Sequence, residues 1–115
     1  MAAYAAASFA HHAHNAEFLA DYPNMPGWLT PGAVYAIWAA QTAIGVLGCA
    51  LLRGGWRSIG WPCIGLYGAF GLCGLAHYAV APLHAHTATM HATIGLEVAT
   101  GLLLFGAVAF CALKR

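Results

Sequence analysis

Apolar and polar positions alternate along the chain in blocks rather than at a helical or strand period. Three long uncharged runs are separated by short polar breaks. The first run opens at Pro31-Gly32 and continues to Leu52, where Arg53-Gly54-Gly55-Trp56-Arg57 stops it. The second extends from Ile59 to about Ala81, with Pro62 in its first turn, where a missing N–H costs little, and Pro82 closing it. The third extends from about Thr87 to Leu113 and ends in Lys114-Arg115. A helix needs roughly 20 apolar residues to cross the hydrocarbon layer of a bilayer, and each run has that length. The pattern predicts an all-α integral membrane protein with three transmembrane helices, over about 31–52, 59–81 and 87–113.

Composition removes the soluble alternative. The 115 residues are 62% hydrophobic and only 6% charged, whereas a soluble domain carries about a quarter charged residues. Four Lys or Arg residues cannot track a phosphate backbone, so nucleic acid is excluded as a partner. Their placement sets an orientation. With the helices up, down and up, Arg53, Arg57, Lys114 and Arg115 share one side, which the positive-inside bias names cytoplasmic. This predicts an outer N-terminus and a cytoplasmic C-terminus, in a membrane expected to be the bacterial inner membrane with the other face periplasmic. Residues 1–30 are expected to form an outer-face arm bearing His11, His12 and His14, and residues 31–115 the transmembrane domain. Without a basic n-region, and with an apolar run broken by histidines, the first residues are not expected to be a cleaved signal peptide.

Seven histidines equal all the Lys, Arg, Asp and Glu residues together. Folding the chain across the bilayer collects them toward the outer side. His77-Tyr-Ala-Val-Ala-Pro-Leu-His84-Ala-His86-Thr-Ala-Thr-Met90-His91 places four histidines and a methionine around one helix-to-helix turn. Imidazole binds Cu, Zn, Fe and Ni, and a nearby thioether shifts the preference toward copper. Candidate ligands of a copper or zinc ion are therefore His84, His86, Met90, His91, His77 and Glu97, with His11, His12 and His14 gathering metal on the arm. The competing reading treats each histidine as an interfacial polar residue. Glu97 lies about ten residues into the third helix, roughly 15 Å along its axis. It reads as a metal ligand, a proton-carrying carboxylate, or a partner of Gln41, which sits at a similar depth in the first span. The four cysteines show no C-x-x-C spacing and are expected to act as small hydrophobes.

Two packing features accompany this chemistry. Gly65, Gly68, Gly71 and Gly74 leave a backbone groove on the second span that suits a close neighbouring helix. On the third span, Ala88, Ala92, Gly95, Ala99 and Gly106 form a small-residue stripe opposite His86, Met90, Thr93, Glu97 and Thr100. Both faces call for protein contact, which predicts a homo-oligomer or a place in a larger membrane complex.

Three spans with an outer N-terminus form a layout that resembles the Ctr-type copper transporters, which assemble as trimers. Their methionine-rich amino terminus and second-span Met-x-x-x-Met are absent here, so the likeness assigns no residue. The expected function is binding or transport of copper or zinc. The alternative is a non-catalytic subunit of a respiratory or other redox complex holding haem b or quinone, with His77 and His91 as axial haem ligands; in size and hydropathy the chain is similar to succinate dehydrogenase anchor subunits. No nucleophile and base pair, phosphate loop or catalytic metal motif is present, so the chain is not expected to be an enzyme by itself.

Overall fold

A computed structural model describes residues 1–114, in which every regular element is helical and no strand occurs. Helix α1 spans Ala2–Glu17, α2 spans Pro31–Arg53, α3 spans Arg57–Ala69, α4 spans Ala76–Val80 and α5 spans Ala88–Leu113. Three stretches are long and apolar enough to cross a membrane: Pro31–Arg53, Arg57–Val80 and Ala88–Ala112. The bundle measures 45 × 25 × 19 Å, longer than the roughly 30 Å hydrocarbon core of a bilayer.

Local chemistry fixes the ends of these helices. Pro31 occupies the first turn of α2, and the Thr30 hydroxyl accepts from Ala33 N at 3.1 Å. Gly55 turns the chain into α3 with φ +83°, a conformation costly for any residue with a Cβ. Because α3 begins at Arg57, Pro62 lies inside the helix rather than in its first turn as expected. Ala81, held extended ahead of Pro82, ends α4. Thr87 caps α5 by accepting from Met90 N at 3.2 Å, while Thr87 N donates to Met90 Sδ at 3.4 Å.

The second span is not uniform. Between α3 and α4, Phe70–Leu75 winds as a 3-10 helix, a form rarely sustained beyond three or four residues and common at functional irregularities. Gly65, Gly68, Gly71 and Gly74 of this span face α5. A Cβ on Gly68 would lie 2.9 Å from Gly101 O, and one on Gly71 would lie 2.9 Å from Glu97 O. The glycine groove therefore receives a helix, as expected, and that helix is α5 of the same chain. A second close approach joins α2 to α3, where a Cβ on either Gly48 or Gly60 would be 3.0 Å from the carbonyl oxygen of the other.

The first thirty residues differ most from expectation. Instead of an arm beyond the bundle, residues 2–17 form α1, which packs on both α2 and α5. At one end of α1, Met1 Sδ lies 3.1 Å from Cys49 Sγ; at the other, Tyr35 donates its hydroxyl to Glu17 Oε1 at 2.9 Å. Helix α1 thus lies antiparallel to α2 over most of its length, and Met1 sits toward the end that carries Arg53, not the end that carries the His84 loop. The cause is legible in the buried set Tyr4, Ser8, His11 and Asn15, whose spacing places them on one helix face. Tyr4 meets Tyr67 edge to face, ring centroids 4.7 Å apart, beside Gly71 and Gly101.

This docking changes the account of α5. Its polar face, with His86, Met90 and Glu97 buried, is covered within the chain. The small-residue stripe Ala88, Ala92, Gly95, Ala99 and Gly106 is left exposed.

Candidate functional site

The loop between α1 and α2 closes over the end of the second span: Asn24, in left-handed conformation with φ 55°, donates its amide to Val80 O at 2.9 Å. Beneath it, α1, the 3-10 segment, α4 and α5 bring together groups that are far apart in sequence.

Glu97 is at the deep end of the site, only 1% exposed. His11 Nε2 is 3.7 Å from its Oε2, and His12 Nδ1 is 3.5 Å from its Oε1. His12 Nδ1 donates to Ser8 O at 2.9 Å, which leaves its Nε2 as the unprotonated nitrogen of a neutral ring. Thr93 donates its hydroxyl to Met90 O, so at 3.5 Å that oxygen can only accept from His11 Nδ1. The His11 nitrogen facing Glu97 is then the one with a free lone pair. Burial, reinforced by the imidazoles of His12, His77 and His14, pushes His11 down to about 3. Burial also lowers His12, against the opposing bond to Ser8 O. Both rings are neutral at pH 7.

From His11 the imidazoles continue toward the loop end. Ring centroids are 5.5 Å apart for His12 and His11, 5.3 Å for His11 and His77, 6.3 Å for His77 and His86, and 5.8 Å for His86 and His91. Asn15 donates to His77 Nε2 at 3.2 Å. His86 Nδ1 donates to Pro82 O at 3.1 Å, and its buried Nε2 has no hydrogen-bond partner. His91 Nδ1 is 2.8 Å from the Tyr78 hydroxyl. His14, bonded to the Tyr22 hydroxyl at 2.9 Å, joins sideways, because the Tyr22 ring lies 4.9 Å from that of His77. Six of the seven histidines thus form one connected group; exposed His84 makes none of these contacts.

The candidate residues sort differently from their sequence order. The turn cluster does not stand alone, because His77 joins it to His11, His12 and Glu97. Met90 is buried on the expected face with His86, but its sulfur caps α5 by accepting from Thr87 N. Among the described residues no three His, Cys, Asp or Glu side chains already converge as a metal-ligand set. For a haem held by His77 and His91, the ring of His86 lies in contact with both candidate ligands. The expected bond between Glu97 and Gln41 is not made: both line a cavity of about 120 Å³, shared with His11, His12, Asn15 and His77, in which Gln41 Oε1 has no partner. Thr100 donates to Leu96 O on its own helix instead.

Sequence reasoning missed Asn15, Tyr22 and Tyr78, which orient rings. The helical spacing of Tyr4, Ser8, His11 and Asn15 was the available signal for the first. The four cysteines are free thiols, Cys73 among the cavity residues. No protein-family model, curated protein or solved structure matches the chain.

Proposed function

We propose that this chain is a membrane-embedded proton-exchange protein, in which imidazoles carry protons between the loop end of the bundle and Glu97. The observation that carries the reading is the unbroken series of rings from His91 through His86, His77 and His11 to the carboxylate. A neutral imidazole accepts a proton on one nitrogen and releases it from the other, and ionisable residues within membrane spans mark proton relays. Steps of 5.3–6.3 Å between centroids are covered by ring rotation or one bridging water. With Arg53, Arg57 and Lys114 on the cytoplasmic side, the loop end faces the periplasm of a bacterial inner membrane. The uncovered stripe on α5 supports assembly with further copies or as a subunit of a larger membrane complex.

Time-resolved infrared spectroscopy tests the relay. After a rapid pH step, the carboxyl band assigned to Glu97 by its loss in Glu97→Gln should respond, and His77→Leu should slow that response at least tenfold relative to the unsubstituted chain. A response in His77→Leu as fast as that of the unsubstituted chain overturns the proposal.

A second reading rests on the donors around the cavity. His11, His12, His77 and Glu97 offer the nitrogen and oxygen ligands that copper or zinc accepts, and binding would require their rings to turn inward. Near-stoichiometric copper or zinc by elemental analysis, lost together in His11→Ala and His77→Ala, would favour metal binding or transport over proton exchange.

A further inference from the structure

The polar cavity opens sideways. It shares Leu29, Ile37, Cys73 and His77 with a slot of about 290 Å³ whose remaining walls include Trp28 and Val80. The slot exists because α2 packs along α3 but parts from α4, leaving a gap on the flank of two candidate spans. Trp28, Ile37 and Val80 are exposed there, on a surface that a bilayer would cover with acyl chains.

Polarity changes along this path. Its mouth is apolar, whereas its inner end holds two buried acceptors without a hydrogen-bond donor, Asn15 Oδ1 and Gln41 Oε1, beside the Glu97 carboxyl, which the Ser8 hydroxyl serves from α1. Asn15 and Glu97 are more than nine-tenths buried. An unsatisfied buried acceptor costs about 1–3 kcal/mol, so a ligand that brings hydroxyl donors gains more here than one that brings only hydrocarbon. Pockets for small ligands combine an apolar wall with a few convergent polar groups in the same way.

We infer that the slot and cavity together form a lateral binding site for a lipid-soluble quinol, with its hydroxyls toward Glu97, Gln41 and Asn15 and its tail passing Ile37 and Trp28 into the bilayer. The site rests on the proton-exchange reading for its purpose, since a quinol carries exchangeable protons to the place where the imidazole series ends. Its existence rests on the slot and the unpaired acceptors alone.

The test is retention of decylubiquinol, kept anaerobic and reduced, by nanodiscs with and without the full-length chain, measured by chromatography of extracted ligand. The protein-containing discs should show a saturable excess approaching one ligand per chain. Ile37→Trp, at a position already 40% exposed and so compatible with folding, should weaken binding at least tenfold by closing the mouth. Gln41→Leu should weaken it severalfold by removing an acceptor. Decylbenzene, with the same tail and no hydroxyls, should show no saturable excess. Absence of excess decylubiquinol, equal retention of decylbenzene, or unchanged binding in Ile37→Trp overturns the inference. Proton exchange at Glu97 is measured without quinol, so an unchanged exchange rate in His77→Leu with intact decylubiquinol binding would remove the relay and leave the site. Loss of the site would likewise leave the relay.

Discussion

The two ends of this bundle solve the same packing problem with opposite materials. Toward the arginine end, backbones meet directly at Gly48 with Gly60 and at Gly68 with Gly101, and the interior is filled by the edge-to-face pair Tyr4 and Tyr67. Toward the loop end the second span winds into a 3-10 helix, α2 parts from α4, and the interior holds imidazoles, amides and a cavity. Close glycine contact leaves no room for polar groups. Where the helices separate, the space is lined with groups that can exchange protons or accept hydrogen bonds, and α1 runs along both halves, giving Tyr4 to one and His11, His12 and Asn15 to the other.

The largest predicted effect breaks the tight half. A Cβ on Gly101 would lie 2.6 Å from Gly68 O, and backbone cannot yield as a side-chain tip can. Gly101→Leu should cost at least roughly 3 kcal/mol, the upper range for overpacking, and should abolish recovery of monodisperse protein. A Gly101→Leu chain with the unfolding temperature of the parent would show that α3 and α5 do not cross there. Next comes Tyr4, almost fully buried at the junction of α1, α3 and α5. Tyr4→Ala should cost on the order of 3 kcal/mol and release α1 while leaving α2, α3 and α5 together. Limited proteolysis between residues 5 and 20 should then become fast, with the remaining fragment intact.

The three spans were legible because a membrane imposes a long uninterrupted apolar run, and Arg53, Arg57, Pro82 and Lys114 mark their ends plainly. The glycine groove was legible too, since Gly68 and Gly71 serve no purpose facing lipid. Helix α1 was not. Its eight alanines within residues 1–16 and its cluster His11-His12-Ala13-His14 look like a weak helix with a solvated patch. Only partner surfaces far along the chain make Ser8, His11 and Asn15 interior residues: Thr93 and Glu97 on α5 for Ser8 and His11, and His77 on α4 for Asn15. The site was half legible for the same reason: local spacing around Pro82 revealed His77, His84, His86 and His91, but bringing His11 and His12 to Glu97 requires a contact more than eighty positions apart in sequence.

Acid should sharpen the contrast at the polar end. His11 is held near 3 by burial and by neighbouring imidazoles, whereas in an undocked α1 its ring returns to about 6.5. Between these values the undocked state binds the extra proton, so docking is fully favoured above pH 6.5 and weakens as pH falls toward 3. The slope is at most about 1.4 kcal/mol per pH unit for this group. Phe9 packs on Trp38 with ring centroids 5.0 Å apart, so tryptophan fluorescence follows the docking of α1. Lowering the pH from 7 to 4 should shift that signal in the parent chain and shift it less in His11→Leu. An equal response in the two chains would place the acid-sensitive group elsewhere, with His12, His77 and Glu97 next to be replaced.

The smallest effect is expected from glycines of the same helix that face outward. A Cβ on Gly95 or Gly106 meets nothing within 4 Å, and leucine is the better helix former by somewhat under 1 kcal/mol. Gly95→Leu and Gly106→Leu should therefore leave the stability of the single chain within about 0.5 kcal/mol of the parent. Their value lies in a second readout. The stripe they share with Ala88, Ala92 and Ala99 is the surface on which another helix could approach closely, so the mass of the detergent-solubilised protein, from light scattering, should fall to that of one chain if copies assemble there. Unchanged mass with unchanged stability would leave the stripe to lipid. The same substitution type on one helix would then be severe at Gly101 and silent at Gly95, a contrast set by what each glycine faces.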